Sequence, residues 1–189
     1  MTVSALAVEL NELAPELTTD RLLLRGPRLA DLPASVEMWT DPATTRFIGG
    51  GVAQTREQTF ARELRNAGHW ALLGYGIFTV VERATGRYAG GVGIASFERE
   101  ITPPLLPFEA AWALAPWCYG RGFATEALRA VHAWFEGVFP DQPTQCIIDL
   151  GNVPSHRVAA KLGYTEIDRR TYHGSPLIVF QRRATARGV

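Results

Sequence analysis

Cysteine is scarce in this chain, and its scarcity excludes several kinds of protein. Cys118 and Cys146 are the only cysteines among 189 residues, and their spacing matches no metal-ligand motif. We therefore expect neither a metal site nor a disulfide framework, which favours a reducing cytoplasm. No apolar run approaches the ~20 residues that a membrane-spanning helix needs, and the N-terminus lacks the positively charged start of a signal peptide.

The formal net charge of the chain is zero. The chain has 19 basic and 19 acidic residues, and no basic run is long enough to suggest a nucleic-acid surface. The nearest candidate combines Arg169-Arg170 with Arg182-Arg183, which we interpret as solvated strand ends. Repeats and low-complexity tracts are also missing. The length suits one domain with a single core, and we expect a leader over residues 1–16, one domain over 17–183 and a flexible tail over 184–189.

The hydrophobic pattern predicts an alternation of strands and helices. The expected strands cover 21–25, 76–81, 88–97, 108–114, 146–150, 164–172 and 177–182, and the expected helices cover 31–39, 55–66, 124–138 and 152–163. A further short helix is expected in the leader, through Leu6, Leu10 and Leu13. The segments 41–51 and 99–107 are interpreted as a turn-rich region and a loop. This order predicts an α/β protein with a mixed sheet.

A glycine-rich loop between a strand and a helix carries the clearest chemical signal. Gly120 and Gly122 allow the backbone to turn tightly, and the helix that follows adds its unpaired first-turn N–H groups and its dipole. Such a loop suits a phosphate or pyrophosphate. No Gly-Lys-Ser/Thr follows it, and Gly120-x-Gly122-x-x-Thr125 lacks the third small residue of the dinucleotide fingerprint. The alternative is a tight turn whose glycines serve packing alone.

Two segments resemble a known family. The loop Tyr119-Gly120-Arg121-Gly122-Phe123-Ala124 is similar to motif A of the GNAT superfamily of acyl-coenzyme A N-acyltransferases, Arg/Gln-x-x-Gly-x-Gly/Ala, with Tyr119 departing from the first position. The following Thr-Glu-Ala makes it similar to the branch that acetylates ribosomal-protein N-termini. Residues 152–164 (NVPSHRVAAKLGY) resemble that branch's Asn-x-x-Ser-x-x-x-x-x-Lys-Leu-Gly-Phe/Tyr segment, although alone they indicate only a capped amphipathic helix. The resemblance covers residues 17–182.

The resemblance implies a fold and a binding mode. The GNAT fold is a mostly antiparallel central sheet, flanked by helices, whose fourth and fifth strands splay apart. Acetyl-coenzyme A would enter that cleft, with its pantetheine paired to the fourth strand as an added strand would be and its pyrophosphate on the glycine loop. The implied coenzyme-binding residues are Trp112, Ala113, Leu114, Tyr119, Gly120, Arg121, Gly122, Phe123, Ala124, Thr125, Asn152 and Ser155.

The same resemblance implies two catalytic residues. Glu109 would remove the amine proton, through a water if needed, because a carboxylate in an apolar strand is costly unless it is partnered or functional. The alternative places Glu109 at the solvent edge of its strand, and Glu98 and His69 are weaker candidates for the base. Ser155 would protonate or hydrogen-bond the departing thiolate, or else bond nearby helix backbone. Asn152 would cap the helix and contact pantetheine.

A covalent route and the identity of the acceptor complete the sequence-based hypotheses. Cys118 with His132 could suggest an acyl-enzyme, but no spacing argues for an ordered pair and a packed thiol is favoured. By resemblance Tyr172 and His173 border the acceptor site, although an ordinary turn is equally compatible with them. We expect an N-acetyltransferase acting on a protein N-terminus or a small-molecule amine, with no nucleic-acid or membrane partner. A non-catalytic acyl-coenzyme A-binding module, an antibiotic or polyamine acetyltransferase, and a homodimer stay open.

Overall fold

One open sheet of eight strands organises the chain in the computed structural model, which describes residues 14–184. The strands are β1 (Leu17–Thr18), β2 (Leu22–Arg25), β3 (Ile77–Glu82), β4 (Tyr88–Ala95), β5 (Glu109–Leu114), β6 (Thr144–Asp149), β7 (Thr165–Tyr172) and β8 (Ser175–Arg182). Their order across the sheet is β1-β2-β3-β4-β5-β6-β8-β7. Every neighbouring pair is antiparallel except β5 and β6, which are parallel. The mixed, mostly antiparallel sheet is therefore confirmed.

Within residues 14–184, five α-helices connect and flank these strands. They are α1 (Leu32–Thr40), the four-residue α2 (Pro42–Thr45), α3 (Arg56–Leu73), α4 (Phe123–Val138) and α5 (Val153–Lys161). All predicted strands and the four helices predicted after the leader are present, with shifted ends. The two-residue β1 and the short α2 were not predicted, because segments of two to four residues carry no measurable periodicity. The helix predicted in the leader lies outside the described residues.

Helix α3 is longer than the predicted 55–66. It begins at the predicted position, where Thr55 and Gln58 exchange the two hydrogen bonds of a capping box. Its additional turns pass Gly68, which interrupts the sequence pattern, but Trp70 is buried and its indole N–H donates to Ile77 O at 3.0 Å. The helix ends where Gly74 takes a left-handed φ of 74°. Tertiary contact by Trp70 therefore extends a helix that local propensity leaves weak.

The core lies between the sheet and the buried face of α4. Ala127, Leu128, Val131 and Phe135 of that helix are fully buried, as its apolar stripe predicts. Val138, the last residue of the helix, is 51% exposed, although helical spacing would place it on the same stripe. Ala14, ahead of the predicted domain start, also belongs to the core.

The sheet opens between its two parallel strands. β5 and β6 share one register pair, Glu109 with Gln145, whereas β5 matches β4 over six residues. The N–H of Gln145 donates to Phe108 O at 3.0 Å just before β5 begins. Beyond that point the β5 edge facing β6 carries no sheet partner, so the two strands splay apart toward their carboxyl ends.

Candidate active site

Two helix N-termini face the open end of the splay. α4 follows the carboxyl end of β5 through a short loop, and α5 follows the carboxyl end of β6. Because parallel strands end at the same edge of a sheet, both helices begin beside the gap, where ligands bind in open α/β sheets. The first-turn N–H groups of α4 have no hydrogen-bond acceptor in the described part of the chain and carry the positive end of its dipole. In α5 the Val153 and Ser155 N–H groups are instead bonded to Gly151 O and Asn152 Oδ1, so this helix contributes its dipole alone. This end of the cleft is therefore suited to an anionic ligand.

The glycine loop has the backbone that the sequence predicts. Gly120 and Gly122 have φ values of 74° and 79°, and both are exposed. A Cβ at Gly120 would meet nothing within 4 Å, so packing against the protein does not explain that glycine. Its conformation does, since a positive φ is costly for other residues. Gly122 sits at the N-cap of α4 and offers no side chain to cap it, which leaves the first-turn N–H groups open.

The side chains of the loop are engaged outside the cleft. Arg121 binds Glu82 at 2.5 Å and lies over the Phe123 ring at 4.4 Å. Tyr119 is half exposed, and its hydroxyl donates to Ala43 O at 3.3 Å. Phe123 and Thr125 are buried, while Ala124 is half-buried. These side chains hold the loop in place, and the backbone N–H groups are what the loop presents to a ligand.

Arg21 braces this loop, and sequence reasoning missed it. Its guanidinium donates to Arg121 O at 2.9 Å and pairs with Glu126 at 2.5 Å, and a Cβ on Gly122 would lie 3.6 Å from its Nη2. Burial would raise the pKa of Glu126, but hydrogen bonds from Thr19 and Arg21 outweigh it and lower that pKa below its ordinary value. The only sequence signal was an arginine opening a predicted strand, which is unremarkable among nineteen basic residues.

The edge of β5 and the start of α5 meet across the gap. Trp112 and Ala113 are half-buried and Leu114 is buried. The Trp112 indole N–H donates to Ser155 Oγ at 3.2 Å. Asn152 caps α5, as expected, by accepting the Ser155 N–H on its Oδ1 at 3.2 Å. The bond found for the Ser155 hydroxyl thus comes from β5 and not from helix backbone.

Glu109 is buried at the base of the splay. It is the first residue of β5, yet it is only 4% exposed, so the solvent-edge alternative is wrong. Arg99 holds both carboxylate oxygens, with contacts of 2.7, 2.8 and 3.1 Å. Burial would lower the pKa of Arg99, but the hydrogen bonds and charge of Glu109 raise it above its ordinary value. An ionised acid at this position is therefore compensated by a fixed cation.

The terminal hairpin lies beside that ion pair. The Arg99 guanidinium is 5.6 Å from the Tyr172 ring and 4.8 Å from the Phe97 ring. His173, the next residue, is exposed and has a positive φ of 49°. The structure thus places Tyr172 near Glu109 and leaves His173 in the turn.

The weaker candidates for the base occupy different surroundings. His69 is buried against Phe97, with ring centroids 5.8 Å apart, and burial together with the charge of Arg65 lowers its pKa. Glu98 is exposed and accepts a hydrogen bond from Ser96 Oγ at 2.8 Å. Phe97 therefore lies between His69 and the Arg99–Glu109 pair, whereas Glu98 makes a local contact with Ser96.

Cys118 and His132 are not brought together as a catalytic pair. The Cys118 thiol is buried, contacts Ala89 O at 3.6 Å, and has its pKa raised to about 11 by burial. The His132 ring instead contacts the Tyr164 hydroxyl at 3.2 Å. A protonated thiol without a histidine partner is a poor nucleophile, which supports the packed-thiol interpretation.

Residues 14–184 contain neither a metal-binding cluster nor a membrane-spanning helix. Within that range no group of three or more His, Cys, Asp or Glu side chains is placed to hold a metal ion. Over the same residues, no helix combines the length and apolar character needed to cross a bilayer.

Comparison with known proteins places this architecture in a family. Residues 21–165 match the model of the acetyltransferase (GNAT) domain. A Bordetella pertussis protein described as a GNAT-family acetyltransferase is 27% identical, with a TM-score of 0.79 over 89% of this chain and 99% of its own. An acetyltransferase from Agrobacterium tumefaciens is 26% identical, with a TM-score of 0.73 over 89% and 94% of the two chains.

A more distant neighbour was solved with coenzyme A. RimL, the ribosomal L7/L12 alpha-N-protein acetyltransferase, shares 14% identity and a TM-score of 0.72 over 90% of this chain and 98% of its own. At that identity the likeness concerns the fold. The family match, which spans most of the chain, and the splayed sheet agree. The chain belongs to the GNAT acetyltransferase family and is an acetyl-coenzyme A-dependent acyltransferase.

Proposed function

We propose that this protein transfers the acetyl group of acetyl-coenzyme A to a primary amine by direct attack in a ternary complex. The observation that carries the proposal is the gap between β5 and β6, with two helix N-termini at its open end and a buried carboxylate, Glu109, at its base. The gap offers an amide edge for pantetheine, N–H groups for phosphates and an acid near the reacting end.

The coenzyme is held along the gap. The β5 edge at Trp112, Ala113 and Leu114 pairs with the amides of pantetheine, as an added strand would. The pyrophosphate lies on the N–H groups of the Gly120–Thr125 turn, of which the Arg121 N–H is already bonded to Cys118 O. Asn152 contacts pantetheine with the part of its side chain that the cap leaves free. Acetyl-coenzyme A supplies the activated acetyl group, and the protein supplies position and proton handling.

The chemistry needs a neutral amine and a stabilised leaving sulfur. Glu109 takes a proton from the amine, through a water if necessary, and Arg99 keeps the carboxylate oriented. The new C–N bond forms as the C–S bond breaks, and the electron pair of that bond goes to sulfur. Ser155 donates a hydrogen bond to this sulfur. The amine nitrogen loses one proton and the coenzyme thiol finally gains one, so protons balance. Because the acetyl group passes directly from sulfur to nitrogen, no covalent enzyme intermediate is needed.

The acceptor is a protein N-terminus or a small-molecule amine. The rings of Tyr172 and Phe97 both lie against the Arg99 guanidinium at the base of the gap. The acceptor amine therefore approaches between the terminal hairpin and the loop after β4. The RimL neighbour acts on a ribosomal-protein N-terminus, and this is one reason to include N-terminal peptides among the acceptors.

The cellular setting and assembly also belong to the proposal. Both cysteines are buried and free, which is compatible with a reducing cytoplasm. A homodimer stays a prediction, and light scattering on the purified protein measures it.

The function is tested by thiol release from acetyl-coenzyme A across N-terminal peptides, aminoglycosides and polyamines. Acetylation of one acceptor, with intersecting initial-rate lines when both substrates are varied, supports direct transfer. Parallel lines would indicate an acyl-enzyme. A protein that binds coenzyme A in calorimetry but acetylates no amine would be a binding module.

A further inference from the structure

Trp112 and Ser155 are linked across the gap by a single hydrogen bond. Trp112 lies in the middle of β5, where its backbone matches Val92 of β4, and Ser155 lies in the first turn of α5. The indole nitrogen and the serine Oγ are 3.2 Å apart. Each partner is held independently, the tryptophan by the sheet and the serine by a helix that Asn152 caps. The bond therefore joins two fixed elements on opposite sides of the cleft.

The direction of this hydrogen bond follows from the chemistry of the two groups. An indole nitrogen has one hydrogen and can only donate, whereas a hydroxyl both donates and accepts. Ser155 Oγ must therefore be the acceptor. Its own hydrogen cannot point at the indole and is available to another acceptor.

The helix cap leaves the Ser155 hydroxyl free to donate its hydrogen to another acceptor. First-turn serines commonly accept a backbone N–H or bond the helix backbone. At this position the Ser155 N–H is already taken by Asn152 Oδ1, and Asn152 rather than Ser155 is the cap. The indole is the partner that the structure gives to Ser155 Oγ within residues 14–184.

We propose that Trp112 is a positioning residue that acts through Ser155. This role rests on the proposed acetyl transfer. By donating its indole N–H, Trp112 fixes Ser155 Oγ as an acceptor and directs the serine O–H into the cleft, toward the departing sulfur. A hydroxyl that accepts one hydrogen bond is also a better donor of another, because hydrogen bonds in a chain polarise one another. The role belongs to the side chain and is separate from the backbone edge that pairs with pantetheine.

A double-mutant cycle tests this role with thiol release, using Trp112→Phe, Ser155→Ala and the double variant. Phenylalanine keeps the aromatic ring and the β5 backbone but removes the N–H. We expect Trp112→Phe to lower kcat by about 3- to 10-fold, the effect of one lost hydrogen bond, with coenzyme affinity little changed. In the Ser155→Ala background the same change should alter kcat by less than about 2-fold, because the serine it acts through is gone.

Two further measurements separate positioning from general loss of structure. Trp70→Phe removes another indole donor, at 3.0 Å from Ile77 O, in α3 and outside the cleft, and should leave kcat unchanged once folded protein is counted. The Trp112 indole N–H resonance, assigned from its absence in Trp112→Phe, should shift in Ser155→Ala and stay near its wild-type position in Ser155→Thr.

The outcomes are distinct. If wild-type protein acetylates an amine and the Trp112→Phe loss is fully retained in the Ser155→Ala background, the positioning role is overturned while the enzyme stands. An unchanged kcat in either single variant overturns it as well. If wild-type protein has no turnover on any acceptor, the proposed function fails and this role fails with it.

Discussion

Arg99 holds both oxygens of Glu109, with nitrogen–oxygen distances of 2.7 to 3.1 Å, at the point where the sheet begins to open. The carboxylate is 4% exposed, so the pair is largely removed from water. Such a pair orients the acid and compensates its charge, and its three contacts leave a lone pair on Oε2 for a water or an amine proton. The candidate base is thus fixed in place by its partner.

Glu109→Gln should lower kcat by roughly 10²-fold or more if the carboxylate removes the amine proton. The loss should shrink as pH rises, because free amine then becomes abundant. Steady-state rates from pH 6 to pH 9 measure both effects. The change also leaves Arg99 without its anion and should reduce stability by about 1–3 kcal/mol.

A matched variant controls for the broken ion pair. Glu136→Gln removes the partner of Arg182 in α4, outside the cleft, and should leave kcat per folded molecule unchanged. Wild-type turnover of Glu109→Gln at pH 7 would contradict the role of Glu109 as the base.

Gly122→Val should weaken coenzyme A binding by placing a side chain where the phosphates are expected. The residue has φ 79°, so valine also adds backbone strain of roughly 1–3 kcal/mol. Gly86→Val carries the same kind of strain at φ 70°, in the turn between β3 and β4. Calorimetry should show lost coenzyme affinity for Gly122→Val alone, while thermal melts show both variants weakened. Equal coenzyme affinity in the two folded variants would refute the loop as the phosphate site.

Asn152 and Ser155 lie on one helix turn, but replacing each by alanine should have different effects. Asn152→Ala removes the cap and should cost about 0.5–2 kcal/mol of stability, together with coenzyme affinity. Ser155→Ala should leave coenzyme affinity nearly intact and cost about 0.5–1.5 kcal/mol of stability for the lost Trp112 hydrogen bond. It should also lower kcat, because the interaction of the serine with sulfur strengthens only as charge develops there. Melts, coenzyme titrations and rates on both variants separate the cases. A Ser155→Ala protein that melts early, binds coenzyme poorly and keeps its turnover per bound site would make the serine structural.

His132 should make the protein less stable in mild acid. Burial, reinforced by the charge of Arg182, lowers its pKa to about 4, so the unfolded chain, with a histidine pKa near 6.5, binds a proton that the folded protein refuses. The contribution of this histidine to stability is therefore complete above about pH 6.5. It falls as pH drops toward 4, by at most about 3–4 kcal/mol at about 1.4 kcal/mol per pKa unit.

His132→Phe provides the comparison for this pH dependence. In the variant the Tyr164 hydroxyl keeps its 2.7 Å hydrogen bond to Thr144 Oγ1, so it is not left buried without a hydrogen-bond partner. Denaturant unfolding at pH 4.5 and pH 7.5 should show a smaller difference between the two pH values than in the wild type. An identical difference would assign the acid sensitivity to other groups.

The amino-acid sequence by itself determined the features that depend on local backbone chemistry. The glycines of the loop, the capping box of α3 and the Asn152 cap of α5 follow from residue types at fixed spacing, because turns and caps involve only a few neighbouring residues. The order of strands and helices follows from hydrophobic periodicity in the same way. Coenzyme contacts and catalytic roles stay predictions, since they concern a ligand.

Only the tertiary structure decided which distant residues meet. Arg99 follows β4 by four residues and was assigned to a loop, yet it holds Glu109 on the next strand. Arg21 reaches the glycine loop from 100 positions earlier in the chain, and Trp112 reaches Ser155 from 43 positions earlier. The physical reason is that side-chain pairing across a sheet depends on strand order, register and the splay, and no spacing in the sequence encodes those three together.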